Sequence, residues 1–167
     1  MTDHRADLVA AIERALGRAR NGLPEDVFEF VSRVTPLINV DLLITDAGGR
    51  TLLTWRDDRF YGPGWHVPGG VIRFQERAVE RVHACARAEL GADVDVEPAP
   101  LLVKESIAGE RTRGHMIALL FRCRLISPLD ESRRARSARP SPGQWRWHEV
   151  CPRDLIPEHA PYASFFR

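Results

Sequence analysis

The chain is poor in cysteine: Cys85, Cys123 and Cys151 are the only three in 167 residues, and they stand far apart. An odd, widely spaced set makes neither a disulfide framework nor a zinc pattern, and it fits a reducing, cytoplasmic setting. Net charge is nearly absent as well. The 24 basic and 23 acidic residues leave a formal +1, so no global field argues for nucleic acid or a membrane surface as partner. No apolar run approaches membrane-spanning length. The opening residues, MTDHRADLVAAIERAL, lack the hydrophobic core of a signal peptide. Internal repeats are missing too.

What is there is ordinary for a globular protein: 44% hydrophobic and 28% charged residues. The length suits one domain with a proper core. Residues 1–167 are therefore expected to form a single domain, with residues 1–35 as a helical extension. Leu8, Val9, Ile12 and Leu16 recur at helical spacing within residues 3–20, and Thr2 or Asp3 can cap that helix. Asn21, Gly22, Leu23 and Pro24 break it. A second helix, about 25–33, uses Val27, Phe28 and Val31 and ends at Thr35 and Pro36.

Strands are expected at 37–45 and 51–55, either side of Gly48 and Gly49. Further strands are expected at 93–96, 101–107, 115–125 and 144–148. Asp41 sits in the middle of an otherwise apolar strand. A buried carboxylate is costly unless hydrogen-bonded or paired, so Asp41 is either an outward edge residue or a functional one. Arg56 and Arg59, in the polar loop 56–64, are candidate phosphate ligands, because a guanidinium matches phosphate oxygens in pairs. Residues 128–142 are polar and basic and read as a solvated, mobile loop. Their arginines have no interleaved aromatics for base stacking, which speaks against nucleic acid. Residues 152–157 suggest a short helical turn, with Phe165 and Phe166 packing the tail.

The stretch 65–92, WHVPGGVIRFQERAVERVHACARAELGA, organises the rest. An apolar run ends in Pro68, Gly69 and Gly70. A loop follows, then a helical pattern from about Gln75 to Leu90 that Gly91 closes. Such a unit can present backbone atoms and a carboxylate to a metal that carries an anion. On a regular helix Arg81, Cys85, Ala88 and Glu89 share one face, and Val79, Val82, Ala86 and Leu90 form the core face. Glu89 is the one carboxylate of the first face. Glu76, near the helix start, either favours the dipole there or supports the site.

This stretch resembles the Nudix box of the Nudix hydrolases, G-x5-E-x7-R-E-U-x-E-E-x-G-U with U apolar. Gly70, Glu76, Glu89 and Gly91 take the signature positions without a gap. The box is degenerate: its Arg-Glu pair is Ala84 and Cys85, and one further glutamate is Ala88. The resemblance implies an α+β fold, an α/β/α sandwich with a mixed central sheet. It also implies Mg2+-dependent, or Mn2+-dependent, cleavage of a nucleoside diphosphate derivative.

Over about residues 25–155 the chain looks like the GDP-mannose mannosyl hydrolase group. That likeness rests on EDVFEFVSRVTPLINVDLLI, WHVPGG, the box ending AELG, HMIALLF and WRW. It implies a nucleoside diphosphate sugar as substrate, attack at the sugar carbon, and a homodimer that uses the N-terminal segment. It further implies that Glu89 and the Gly69 carbonyl hold Mg2+, and that Asp41 and Arg56 act on the departing diphosphate. The chain departs from that group in three respects. Val71 and Ala84 replace arginines, and Ser141 and Pro142 stand where a Gln-His pair supplies a metal ligand and the general base. His115 or His148 is then a candidate base. A fold that binds a nucleotide without turnover, and a protein-binding scaffold, are the rival readings.

Overall fold

The computed structural model describes residues 4–17, 19–109 and 113–166. Two helices come first, α1 (His4–Leu16) and α2 (Glu25–Val34). Gly17, at φ +59°, ends α1 in a backbone region that favours glycine. The expected caps at Thr2 and Asp3 lie outside the described residues. Among the described residues eight strands follow: β1 (Leu37–Ile44), β2 (Thr51–Arg56), β3 (Gly64–His66), β4 (Gly69–Val71), β5 (Val94–Val96), β6 (Leu102–Ile107), β7 (His115–Leu125) and β8 (Trp145–His148). Helix α3 (Ala78–Cys85) lies between β4 and β5 and continues as one wide π turn, Ala86–Leu90. A 3-10 helix, Pro157–Phe165, closes the described chain. No helix among the described residues is long and apolar enough to cross a membrane.

The strands form two sheets. In the larger, β4, β1 and β7 lie side by side, and β5 and β6 pair with β7. β1 and β7 run parallel and every other pair is antiparallel, which makes the sheet mixed. The smaller sheet has the order β3-β2-β8.

The period of β1 sorts its side chains into two layers. Val40, Leu42 and Ile44 pack with Val82, Ala86 and Leu90 of the α3 segment. Leu43 packs on the other side with Trp65, Val67, Leu120, Tyr162 and Phe166. Asn39 and Asp41 share the parity of Leu43, so they face the side that the C-terminal 3-10 helix covers. A register slip of one residue would drive Asp41 into the apolar layer beneath α3, so the apolar pattern fixes where the carboxylate points.

The structure decides between the two readings of Asp41: it is buried on a central strand, not on an outward edge. Residues 128–142 are solvated over 136–139 and 141–142, as expected, but anchored at 130–135: Ala135 is buried, Ala135 N–H donates to Trp145 O, and Trp145 Nε1–H donates to Asp130 O. The tail phenylalanines do pack, Phe166 within the core and Phe165 against it.

Candidate functional site

Three pockets that share lining residues adjoin along the larger sheet and make up one cleft, which the C-terminal 3-10 helix borders at its inner and middle parts. Its inner lobe, about 360 Å3, is lined by Asp41, Arg59, Lys104, Arg113, His159 and Tyr162, among others. A middle lobe of about 210 Å3 shares Asp41, Arg113 and His159 with it and adds Arg56, His66 and Gly69. An outer lobe of about 300 Å3 shares Arg56, His66 and Gly69 with the middle one and adds Glu89, Pro142 and Gly143. Asp41, Arg56, Gly69 and Glu89, spread over 49 positions of sequence, thus meet along one cleft.

Glu89 reaches the cleft from the π turn. Its Oε1 accepts the Gly69 N–H at 2.9 Å, and its Oε2 accepts the Thr54 hydroxyl at 3.2 Å. Gly69 is required by this approach and by its register opposite Asp41. A Cβ on it would run into the Val40 carbonyl oxygen and lie 2.6 Å from Asp41 Oδ1. His66 Nε2 lies 3.6 Å from Glu89 Oε2. Its Nδ1 is 2.8 Å from the Thr54 carbonyl oxygen, which can only accept, so Nδ1 carries a proton and Nε2 is the edge that faces Glu89.

The face expected to hold metal ligands is only partly that. Cys85 is buried with the core, and its Sγ packs 3.0 Å from where a Gly70 Cβ would stand. Burial and the nearby Glu89 charge push its thiol up to about 12. Arg81 is buried and forms a two-point ion pair with Glu76. Burial alone would raise the Glu76 carboxyl, but the Arg73 N–H and Arg81 hold it below its ordinary value. Glu76 therefore clamps the loop 73–76 to α3 and lines none of the three lobes. The π turn begins just after Cys85 and carries Glu89, which still lies near enough for its charge to act on the Cys85 thiol.

Asp41 lies deeper. Asn39 Nδ2–H donates to its Oδ1 at 2.6 Å and the Tyr162 hydroxyl to its Oδ2 at 2.5 Å. Burial pushes its carboxyl up to about 6, against the lowering effect of the Tyr162 hydrogen bond. Arg56 stacks over Tyr61, 4.5 Å from the ring centre, and pairs with Asp58. Arg59 is held by Glu25 and Glu29 of α2. The two candidate histidines lie elsewhere. His115 meets Glu105 across the β6–β7 pair at 3.1 Å, and His148 packs edge-on to Trp65. Burial lowers His148 to about 4.

Sequence reasoning missed Asn39, Thr54, His66, Lys104, Arg113, His159 and Tyr162. Asn39 carried a signal, two positions before Asp41 on the same strand face. His66 stood within the quoted WHVPGG. For His159 and Tyr162 no signal existed, because Tyr162 and Asp41 are 121 positions apart.

The residues present fit a hard divalent ion in part. Three carboxylates, Asp57, Asp58 and Glu89, and Gly69 line the outer lobe, but Asp58 is paired with Arg56, and no cluster of three or more His, Cys, Asp or Glu side chains among the described residues is grouped so as to hold a metal. Mg2+ commonly takes one or two carboxylates and fills its octahedron with water and substrate phosphate, so such a donor set serves a metal that arrives with its ligand.

No family model matches the chain. A curated relative, the low-salt glycan biosynthesis protein Agl8 of Haloferax volcanii, is 36% identical over 75 residues, 45% of this chain and 47% of that protein. The match thus spans about half the length of that relative. Among solved structures, a MutT protein from Methanosarcina mazei Go1 superposes with a TM-score of 0.57 at 21% identity, covering 79% of this chain and 91% of that one. A MutT Nudix hydrolase from Burkholderia pseudomallei gives 0.56 at 19% identity, covering 80% and 99%. A UDP-X diphosphatase gives 0.51 at 17%, covering 85% and 65%. Read with the mixed sheet, the glycine loop and the α3 segment that follows it, these superpositions establish that the chain adopts the Nudix fold, of the α+β class.

Proposed function

We propose that this chain is a Mg2+-dependent hydrolase of a nucleoside diphosphate sugar, GDP-mannose-like, that releases the nucleoside diphosphate and the free sugar. The convergence of Glu89, Gly69, Arg56 and Asp41 on one cleft carries this reading. The solved neighbours include a UDP-X diphosphatase, which supports a nucleotide-type substrate. Glu89 and the Gly69 carbonyl would hold the ion, Mg2+ or Mn2+, which when bound neutralises charge on the diphosphate. Arg56 binds the diphosphate from the lobe between Glu89 and Asp41, its plane kept in place by Tyr61. Arg59 supplies a further cation at the inner lobe. Asp41, held by Asn39 and Tyr162, assists the leaving group from the wall beside Arg56.

Attack at the sugar carbon suits a box that keeps only two signature glutamates, Glu76 and Glu89, the first of them tied to Arg81. The chain stabilises a departing diphosphate and needs one base for water. Hydrolysis in 18O-water tests it. Label in the sugar supports the reading, and label in a nucleotide or sugar phosphate overturns it.

A second reading, a nucleotide-binding module with weak or no turnover, rests on its own observation. Pro142 and Gly143 line the outer lobe beside Glu89, and neither side chain can act as a base. Binding without label in either product selects this reading. We also propose a cytoplasmic homodimer. Helix α1 buries no residue, and Leu8, Val9 and Ile12 leave its apolar face open for a second copy. A monomer mass in sedimentation equilibrium would refute the dimer.

A further inference from the structure

The cleft holds two histidines, and backbone groups assign their protons in opposite ways. His66 gives its Nδ1 proton to the Thr54 carbonyl. His159 does the reverse: the Val67 N–H points at His159 Nδ1, with N and Nδ1 2.9 Å apart. A backbone N–H can only donate, so His159 Nδ1 must carry a lone pair. An imidazole with a bare Nδ1 and one proton is neutral and carries that proton on Nε2.

His159 is half-buried and forms part of the wall of both the inner and the middle lobe, beside Asp41 and Arg113. Among the described residues its ring makes one hydrogen bond, at Nδ1. With that edge turned to Val67, Nε2–H is the polar edge left for the cleft. The middle lobe is also where Arg56 stands.

We propose that His159 is a fixed neutral hydrogen-bond donor, whose Nε2–H binds an oxygen of the ligand's diphosphate next to Arg56. This rests on the reading of the cleft as a nucleoside diphosphate site. It also removes His159 from the candidates for a general base, since the nitrogen that faces the cleft already carries the proton. A neutral donor adds a directed hydrogen bond without adding a further cation to a cleft that already holds Arg56, Arg59, Lys104 and Arg113.

The surroundings keep the ring uncharged. Burial comes first, and positive charge on His66 when that ring is protonated, with Lys104 and Arg56, acts in the same direction; together they hold His159 well below the ordinary histidine range. His66 stands 6.0 Å away between ring centres and Tyr162 5.1 Å away. Glu158, the preceding residue, and Asp41 are the acids that line the same lobes.

Two measurements test this. The first is long-range 1H–15N NMR of the histidine rings in the full chain. His159 should show a protonated Nε2 and a bare Nδ1, unchanged from pH 5.5 to 8. An Nδ1–H tautomer or an imidazolium in that range overturns the proposal.

The second measurement is a crossed pair of variants, read by melting temperature and by calorimetric titration. The titrant is whichever of GDP, UDP or ADP with Mg2+ binds the wild type best. In His159→Asn the shorter amide can still accept the Val67 N–H but does not reach the cleft. It should melt close to the wild type and bind the nucleotide at least about tenfold more weakly, the loss of one good hydrogen bond. His159→Gln places an amide N–H near the position of Nε2 and abandons Val67. It should melt roughly 3–8 °C lower, the cost of an orphaned buried donor, and keep affinity within about threefold.

Equal affinities in the two variants overturn the donor role and leave the nucleotide reading standing. No nucleotide binding by the wild type overturns both.

Discussion

The two ends of the cleft are built by different logics. At the outer end, Glu89, Gly69, His66 and Thr54 come from residues 54–89. The carboxylate there is partly open, with its side chain 26% exposed. At the inner end, Asp41 is 2% exposed and is held by Asn39 from its own strand and by Tyr162 from the far C-terminus. An open carboxylate keeps its charge at little cost and can share it with a cation. A buried one keeps its charge only through donors, and here those donors do not fully offset burial, which is why Asp41 rises to about 6. The outer end is therefore suited to holding a metal with its ligand, and the inner end to a group that changes protonation near neutral pH.

The junction between the two ends is the most sensitive point. Gly69 touches both, since its N–H serves Glu89 and its Cα position abuts Asp41. Gly69→Ala should cost at least about 3 kcal/mol, among the larger single-residue effects, because both neighbours of the new Cβ are fixed. That corresponds to a fall of roughly 6–12 °C in a thermal melt. Gly70→Ala is the control. Its Cβ would meet a side-chain atom, Cys85 Sγ at 3.0 Å, and the change should cost about 1 kcal/mol. Equal costs would show that the two glycines do not differ in the way the geometry requires.

Removing the titration at the inner end should stabilise the protein. Asp41 binds its proton more tightly in the native chain than in the unfolded one. Its contribution is intact at low pH and is lost as pH rises through about 6. Asp41→Asn does not titrate and keeps an oxygen for the Tyr162 hydroxyl, while its new N–H faces the Asn39 amide, which must flip to present its oxygen. In metal-free protein the variant should be about 1–3 kcal/mol more stable than the wild type at pH 7.5, from a shift of about two units. The difference should close near pH 4. Urea unfolding at both pH values measures it, and a variant less stable at pH 7.5 would show that the Asp41 network is worth more than the burial costs.

The outer end should respond in the opposite sense, with little effect on stability and a direct one on ligand. Glu89→Gln retains an oxygen for the Gly69 N–H and loses the charge. Mg2+-dependent protection by a nucleotide should weaken at least about tenfold, roughly 1.4 kcal/mol. Thermal shift with and without Mg2+ reads it, and unchanged Mg2+ dependence would remove Glu89 from the metal site.

Legibility in sequence follows the same division. The outer end was readable because it is local: Pro68, Gly69 and Gly70, then Glu89 and a closing Gly91, stand within one strand–loop–helix unit. Six strands were readable from their apolar runs, and 115–125 carries the same bounds as β7, but β4, made of Gly69, Gly70 and Val71, was read as the start of a loop because glycine is poor in strand signal. Asp41 was visible as a charge in an apolar strand, but not its donors. Tyr162 and His159 lie in a tail whose sequence, PEHAPYASFF, has no periodicity that says where it docks. The packing of 128–142 was hidden for a similar reason. Its polar, arginine-rich composition conceals that Arg133 reaches the Ala88 carbonyl oxygen and that Ala135 is buried.

Cys85 gives the smallest expected effect and the finest distinction between the two logics. In the resembled box an acid occupies this position, but Mg2+ prefers oxygen donors, so from sequence Cys85 is expected to be a spectator and not a ligand. The structure puts its sulfur among Val82, Ala86 and Leu90, against the glycine loop, and burial pushes the thiol up to about 12. It therefore stays protonated at neutral pH, and a protonated thiol has no use for a hard ion such as Mg2+. Cys85→Ser should cost about 1 kcal/mol in stability, the order expected for a hydroxyl placed in an apolar site. Mg2+-dependent nucleotide affinity should stay within about threefold, under about 0.7 kcal/mol. Isothermal titration at matched pH separates the two quantities. A loss of affinity well beyond threefold in a variant that melts normally would mean that the sulfur faces the ion, and that the outer end extends along α3 beyond Glu89.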